Sequence, residues 1–248
     1  MASSSRAFDK LAARYDELWT NTSAGRLQRE SVWRFLKGHF RAGDSMIDMG
    51  CGTGEDAIYL EREGIRVSAF DASPAMVRIA CDRGVAACVL GLEELDRIDG
   101  TFDGALSNFG ALNCVPSLKD LRAPLTRLIR PGGTLAVCVI GRFCLWESIH
   151  FLLRGELRKA ARRWSGQSVS QSLGLRVFYP TARQMRKALA PDFKLVRFAG
   201  IGVFIPPSYV KEPSGRILKA CAVLEEQLAH LPFLRTLSDH RLLVFARC

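Results

Sequence analysis

Residues 46 to 54 read Met46-Ile47-Asp48-Met49-Gly50-Cys51-Gly52-Thr53-Gly54. A short apolar strand runs into a loop with glycine at every second position, and glycine lets backbone lie against a ligand where a Cβ atom would collide. The next apolar run, 67–70, ends in Asp71. An acid about 20 residues beyond such a loop fits a carboxylate that binds two ribose hydroxyls. This spacing predicts a site for a cofactor that contains a nucleoside.

The loop differs from the dinucleotide fingerprint G-x-G-x-x-G, because Glu55 stands in the place of the third glycine. Together with Asp48 and Asp56 it would oppose the pyrophosphate that a helix N-terminus usually attracts. The same acids suit a ligand with adenosine at one end and positive charge at the other. S-adenosylmethionine, with its sulfonium and ammonium groups, has this form. An NAD-dependent oxidoreductase is the less favoured alternative.

Over residues 8 to about 140 the chain resembles the class I S-adenosylmethionine-dependent methyltransferases, in particular the small-molecule type 11 group. Five stretches match in the order typical of the family: FDKLAARYD at 8–16, DMGCGTG at 48–54, FDASPAM at 70–76, FDGALSN at 102–108 and LIRPGG at 128–133. The resemblance implies an enzyme that transfers the methyl group of S-adenosylmethionine to a small molecule.

Strands that alternate with helices predict an α/β fold with a doubly wound, mostly parallel, Rossmann-like sheet. The resemblance implies seven strands with an antiparallel last strand. The predicted organisation is N-terminal helices that cover the cofactor in 1–40, a cofactor-binding core in 41–141, a basic helical cap or substrate insertion in 142–180, and completion of the sheet in 181–248. An amphipathic helix that Gly155 can split is predicted for 142–164, and the last helix for 214–228.

The glycine-rich loop is predicted to lie against the methionine part of the cofactor, and Asp71 to bind its ribose. The resemblance implies that Asp48 supports the ligand. Gly91 stands where the family often has an acid, so the adenine contact is expected from the residues that follow it. The predicted cofactor-binding residues are Tyr15, Asp48, Gly50, Cys51, Gly52, Gly54, Asp71, Ala72, Met76, Leu92, Glu93, Asn108 and Phe109.

Methyl transfer from a sulfonium depends mainly on alignment of the reacting atoms, so few catalytic side chains are expected. A base matters only for a weakly acidic hydroxyl or a protonated amine. His150 is the first candidate for this base and Tyr179 the second. Substrate contacts are predicted for Trp19, Asn113, Trp146 and Tyr209. Oxygen is favoured over nitrogen and carbon as the methylated atom, and no metal site is predicted because the eight cysteines lack metal-ligand spacing.

Segment 142–190 contains ten Lys or Arg and two acids, which gives it a net charge of +8 out of +10 for the chain. Such a patch is typical of binding to an anionic partner. The acceptor is therefore expected to be a small apolar or anionic molecule. A methyltransferase that binds nucleic acid or a membrane surface through 142–190 stays open as an alternative, as does a basic face that contacts only solvent. Peripheral membrane contact would involve Trp146, Phe151, Leu152 and Trp164, which lie beside the arginines.

A nucleic-acid partner is disfavoured. Residues 107–110 read SNFG, whereas enzymes that methylate base amino groups carry D/N-P-P-Y/F there, and no RNA-binding module is recognisable. No run of 18 apolar residues and no signal peptide are found. A cytoplasmic enzyme of small-molecule biosynthesis is expected, with no transmembrane segment and an oligomeric state left open.

Overall fold

A seven-stranded sheet forms the centre of the computed structural model, which describes residues 2–170, 173–210 and 215–248. The strands in chain order are β1 (Ser45–Met49), β2 (Arg66–Asp71), β3 (Ala87–Val89), β4 (Phe102–Ser107), β5 (Ile129–Ile140), β6 (Gln167–Val169), β7 (Arg176–Phe178), β8 (Phe193–Ile201) and β9 (His240–Arg247). The central order is β3-β2-β1-β4-β5-β9-β8. Strands β1 to β5 are parallel, and β9 runs antiparallel to both of its neighbours. The predicted fold class is confirmed.

Helices cover both faces of this sheet. They are α1 (Ala2–Tyr15), α2 (Ser23–Leu36), α3 (Glu55–Arg62), α4 (Pro74–Asp82), α5 (Arg122–Leu128), α6 (Leu145–Leu152), α7 (Leu157–Ala160), α8 (Ala182–Leu189) and α9 (Gly215–Leu228). In β1, Ile47 belongs to the core layer that contains α5 and α8, whereas Met46 belongs to the layer that contains α2 and α3. Burial on both faces explains why the central strands are almost continuously apolar.

The segment after β5 contains two short helices. The helix predicted over 142–164 is split into α6 and α7, as the position of Gly155 allowed, and Gly155 lies between them with φ +71°. Because few residues other than glycine adopt this conformation, Gly155 ends the first helix as expected. The polar stretch that follows contributes β6, which pairs antiparallel with β7. Residues 171–172, and residue 214 at the predicted start of the last helix, lie outside the described residues.

The parallel crossovers bring the ends of β1, β2 and β4 to one edge of the sheet. Asp48 lies in register with Ala69 of β2 and with Leu106 of β4. The loops after these strands therefore meet where ligands bind in doubly wound folds. Within the described ranges, no helix combines the length and the apolar character needed to cross a bilayer.

Candidate active site

A cavity of about 430 Å³ lies at this edge of the sheet. Its size falls in the range typical of small-molecule sites. The predicted residues that line it are Tyr15, Trp19, Gly50, Cys51, Gly52, Asp71, Ala72, Met76, Leu92, Glu93, Asn108, Phe109, Asn113 and Tyr209. The structure thus brings together most of the predicted cofactor-binding residues and three of the four predicted substrate contacts. Asp48 and Gly54 lie behind this surface.

Two glycines of the loop have a positive φ angle, and at each of them a side chain would occupy space that the site uses. Gly50 has φ +75°, and a Cβ atom there would lie 2.3 Å from the Cβ of Ala111. Gly52 has φ +54°, and a Cβ atom there would meet no atom within 4 Å. Because Gly52 lines the cavity, any side chain at this position would take up space that a ligand can use.

Asp71 joins the end of β2 to the glycine-rich loop. Its Oδ2 accepts a hydrogen bond from the Gly52 amide at 2.9 Å, and its Oδ1 accepts one from the Ser73 amide at 2.9 Å. A carboxylate has about four acceptor positions, so two backbone bonds leave capacity for a ligand in the cavity. Burial raises the pKa of Asp71, although both amides act in the opposite direction.

Asp48 is fully buried at the end of β1, and its Oδ2 has no hydrogen-bond partner among the described residues. Burial raises the pKa of this carboxyl well above its ordinary value, and the charge of Asp56 adds to the effect. A buried acceptor without a partner is costly unless a ligand or an ordered water binds it. The position behind the glycine-rich loop therefore favours a polar group of the ligand nearby.

A buried ion pair fixes the tip of β4. The guanidinium of Arg29 pairs with Asp56, which also accepts hydrogen bonds from Trp33 Nε1 at 2.7 Å and from Asn108 Nδ2 at 3.1 Å. The next residue, Phe109, has φ +49°. A bulky residue in this region costs on the order of 1–3 kcal/mol, and such strain is concentrated at functional sites.

The ring of Phe109 lies between two other rings at the cavity wall. Its centroid is 4.4 Å from that of Trp19 and 5.1 Å from that of His240. The guanidinium of Arg29 lies 4.9 Å from the Trp19 ring and 5.1 Å from the Phe109 ring. This stack forms the part of the cavity lining that contains Trp19, Arg29, Phe109 and His240.

Two carboxylates anchor α1 and the turn after it across the cavity. Asp9 accepts hydrogen bonds from Ser73 Oγ at 2.6 Å and from the Ala75 amide at 3.1 Å. Asp16 accepts one from Thr53 Oγ1 at 2.8 Å and pairs with Arg83. Tyr15 lies between these anchors, and burial raises its pKa to about 12.

His240 is the site residue that sequence reasoning missed. It begins β9, is buried and lines the cavity. Its Nδ1 lies 3.4 Å from Oδ2 of Asp239. Burial lowers the pKa of this imidazole, so that its neutral form is favoured. The only signal in the sequence was an Asp-His pair just before the last strand, which is too common to indicate a site.

A buried charge network holds the cap against this wall. Glu147 of α6 accepts two hydrogen bonds from Arg162 at 2.7 and 2.9 Å, two from Arg163 at 2.6 and 3.0 Å, and one from the Tyr209 hydroxyl at 2.5 Å. Arg163 also donates to Asp239 Oδ1 at 2.9 Å. Two arginines thus face two carboxylates, and their charges cancel.

Four predicted residues have surroundings that differ from the expected ones. His150 and Trp146 are absent from the described cavity lining; His150 contacts Phe151, and Trp146 Nε1 donates to the Val203 carbonyl at 2.9 Å. Tyr179 lies away from the cavity, with its hydroxyl 2.8 Å from Ser168 Oγ. Asn113 does line the cavity, but its amide bonds the backbone of Ile140 and Phe178.

Comparison with known proteins identifies the family. The family model described as "Methyltransferase domain" matches residues 47–137. A malonyl-[acyl-carrier protein] O-methyltransferase from Pseudescherichia vulneris is 30% identical over 177 residues, which are 65% of this chain and 68% of that relative. The chain belongs to the S-adenosylmethionine-dependent methyltransferases. This methyltransferase therefore uses S-adenosylmethionine, and the NAD alternative is not supported.

Other methyltransferases are similar to this one in sequence or in fold. A demethylmenaquinone methyltransferase from Symbiobacterium thermophilum is 28% identical over 179 residues, which are 63% of this chain and 70% of that relative. The chain spans little more than half the length of other curated relatives that it matches, 56 to 58%. The fold matches Burkholderia thailandensis 1,6-didemethyltoxoflavin-N1-methyltransferase, solved with 1,6-didemethyltoxoflavin and S-adenosylhomocysteine. The TM-score is 0.62 at 18% identity, over 99% of this chain and 88% of that one.

Proposed function

We propose that this methyltransferase methylates an oxygen atom of a small, mainly apolar acceptor. One observation supports this most strongly: a single cavity joins the glycine-rich loop and Asp71 to an apolar wall that also contains a buried histidine. The apolar wall is formed by Val115, Ile140, Leu173, Leu175 and Val177, and the histidine is His240. An apolar lining with few polar groups is typical of sites that bind small organic molecules.

The residues at the glycine-rich end fit S-adenosylmethionine. Asp71 has free acceptor positions for the two ribose hydroxyls. The open side of Gly52 leaves room for the methionine part, and the unpartnered oxygen of Asp48 lies behind it, where an ammonium group or a bridging water would satisfy it. Ala72 and Met76 are proposed to flank the adenine, with Leu92 or Glu93 at its amino group.

When bound, S-adenosylmethionine supplies a methyl group that its sulfonium has already activated. The protein has to position the acceptor and to exclude water. The rings of Trp19 and Phe109, with Arg29 against them, provide an aromatic surface for this purpose, and residues of α1 line the same cavity. No side chain needs to form a covalent bond.

His240 is proposed as the base that removes the proton of an acceptor hydroxyl. Burial keeps its imidazole neutral, as proton acceptance requires. Asp239 Oδ2 lies 3.4 Å from Nδ1, and we assign the proton of the neutral imidazole to Nδ1, which leaves Nε2 as the accepting atom. Arg163 holds Asp239 in place from the cap. This arrangement favours His240 over His150, whose ring is absent from the described cavity lining.

The names of the relatives support the class of acceptor. One is named for demethylmenaquinone, and another is named as an O-methyltransferase of malonyl-[acyl-carrier protein]. Both oxygen as the acceptor atom and a small or carrier-bound acceptor are therefore consistent with close relatives. The apolar wall of the cavity favours an acceptor with a hydrophobic body.

The first experiment is calorimetric titration with S-adenosylmethionine, S-adenosylhomocysteine and, as a control, NADH. Micromolar binding of the first two alone is expected. Formation of S-adenosylhomocysteine is then measured with panels of hydroxylated, amine and enolisable apolar compounds. Turnover by amines with none by hydroxyl compounds would contradict the choice of oxygen. His240→Gln should lower kcat strongly while the matched variant His150→Gln does not, and the reverse result would return the role of base to His150.

A further inference from the structure

The outer surface of the cap exposes several large apolar side chains. Leu152 is 52% exposed, Leu153 84%, Leu157 66% and Trp164 56%. All four belong to residues 149–164, which run from the second half of α6 through α7 to the turn after it. We call this segment the cap surface. Leu153 lies at the end of α6, two residues before the turn at Gly155, and has the largest exposed fraction. A cluster of this kind is typical of a protein or membrane contact.

The charges of the cap surface are positive. Arg154, Arg158 and Lys159 are exposed there. Only two acids occur in residues 142–190, Glu147 and Glu156. Glu147 is buried against Arg162 and Arg163, and Glu156 pairs with Lys159. The unbalanced charges at the surface are therefore those of Arg154 and Arg158, each of which directly follows an exposed leucine.

We propose that the cap surface binds peripherally to a lipid bilayer that contains anionic headgroups. The leucines would enter the boundary between headgroups and acyl chains, and the arginines would contact the acidic headgroups. Interfacial segments combine these two features: apolar side chains on one side and Lys or Arg at the level of the headgroups. Trp164 fits the same boundary, because its ring is apolar and its N–H is polar.

The charges distinguish this occupant from a second copy of the chain. A symmetric dimer places the same surface on both partners, so one interface would contain two copies of Arg154 and Arg158 and no unpaired acid of the cap surface to neutralise them. Like charges across an interface are destabilising. A nucleic acid would satisfy the arginines but would leave Leu153 and Leu157 exposed to water. A bilayer with acidic lipids satisfies both kinds of side chain.

The cap surface also shares a wall with the cavity. Arg162 lines the cavity, and its guanidinium lies 5.8 Å from the centroid of the Phe151 ring on α6. Trp164 contacts Phe143 with a ring distance of 6.3 Å. The proposed contact thus lies next to the cavity, but binding to lipid can be measured without any acceptor or turnover.

The test is co-sedimentation of the full chain with vesicles of phosphatidylcholine alone and of phosphatidylcholine with phosphatidylglycerol. Binding to the anionic vesicles is expected, with a decrease as salt is added, because salt screens the attraction. Leu153→Ser with Leu157→Ser should weaken this binding at least about tenfold, since two apolar side chains no longer enter the bilayer. Arg154→Gln and Arg158→Gln should each weaken it about fivefold.

Phe233→Ser is the matched control. Phe233 is 73% exposed but lies outside the cap, so its loss should leave vesicle binding unchanged. Equal loss with this variant, or equal binding to both kinds of vesicle, would mean nonspecific adhesion and overturn the proposal. Absence of binding would do the same, as would a dimer that the leucine variant dissociates. Unchanged binding of S-adenosylmethionine by each variant verifies that the chain is folded.

Discussion

Replacement of Glu147 by glutamine tests the charge network between the cap and the core. Glu147 is 1% exposed and accepts five hydrogen bonds, from Arg162, Arg163 and Tyr209. Burial alone would raise its pKa, but the hydrogen bonds and charges of the two arginines prevail and lower the pKa to about 2. Glutamine keeps the shape but removes the charge and one acceptor oxygen.

The expected loss follows from this pKa. A carboxyl with an ordinary pKa of 4.5 and a folded-state pKa of about 2 contributes about 3 kcal/mol to the free energy of unfolding at pH 7. Because the folded-state pKa is the lower one, the contribution is complete above pH 4.5 and is lost as the pH falls through about 2. At pH 3 less than half of this contribution should remain. For a chain of this size, Glu147→Gln should lower Tm at pH 7 by about 6–12 °C.

Thermal and urea unfolding at pH 7, 4 and 3 measure this effect. The difference between wild type and Glu147→Gln should shrink as the pH falls. Glu156→Gln is the matched control in the same cap, because Glu156 pairs with Lys159 at the surface and its loss should hardly change Tm. A difference that is independent of pH, or a loss no larger than that of the control, would refute the role of the buried charge.

Three further predictions concern the cavity. Asp71→Ala should weaken S-adenosylmethionine binding by about 1–3 kcal/mol in calorimetry, because the ribose hydroxyls lose their acceptor; unchanged affinity would remove Asp71 from the ribose. Gly52→Val should abolish binding yet leave a folded chain, destabilised by about 1–2 kcal/mol for its left-handed backbone. Retained binding would show that the ligand lies elsewhere. In a pH–rate profile, kcat should fall only below the ordinary histidine pKa of 6.5, since burial lowers the pKa of His240. His240→Gln should lack this acid limb, and persistence of the limb in the variant would assign it to another group.

The sequence was informative wherever a structural feature is encoded by neighbouring residues. The glycine-rich loop, Asp71 and the tip of β4 each follow a buried strand, so local patterns predicted the sheet and named residues that line one cavity; that these residues bind the cofactor stays a prediction. The confirmed antiparallel last strand came from the family resemblance. Family membership then confirmed the cofactor.

The other end of the cavity could not be predicted in the same way. Glu147, Arg163, Tyr209 and His240 are far apart in the chain and meet only because the cap folds back onto the start of β9. Ion pairing also lowers the charge that the basic segment presents at its surface, because Arg162 and Arg163 pair with the buried carboxylate of Glu147. Net charge alone does not reveal this.

The anchors of α1 have a consequence for the timing of turnover. Asp9 and Asp16 are about two helical turns apart, so both hold the same side of this element against the core. We expect a molecule beneath α1 to leave when both contacts have opened together, so that exchange of spent for fresh cofactor waits for that event. We therefore expect steady-state turnover to be set by the lifetime of the closed helix. A more reactive acceptor would then be methylated no faster.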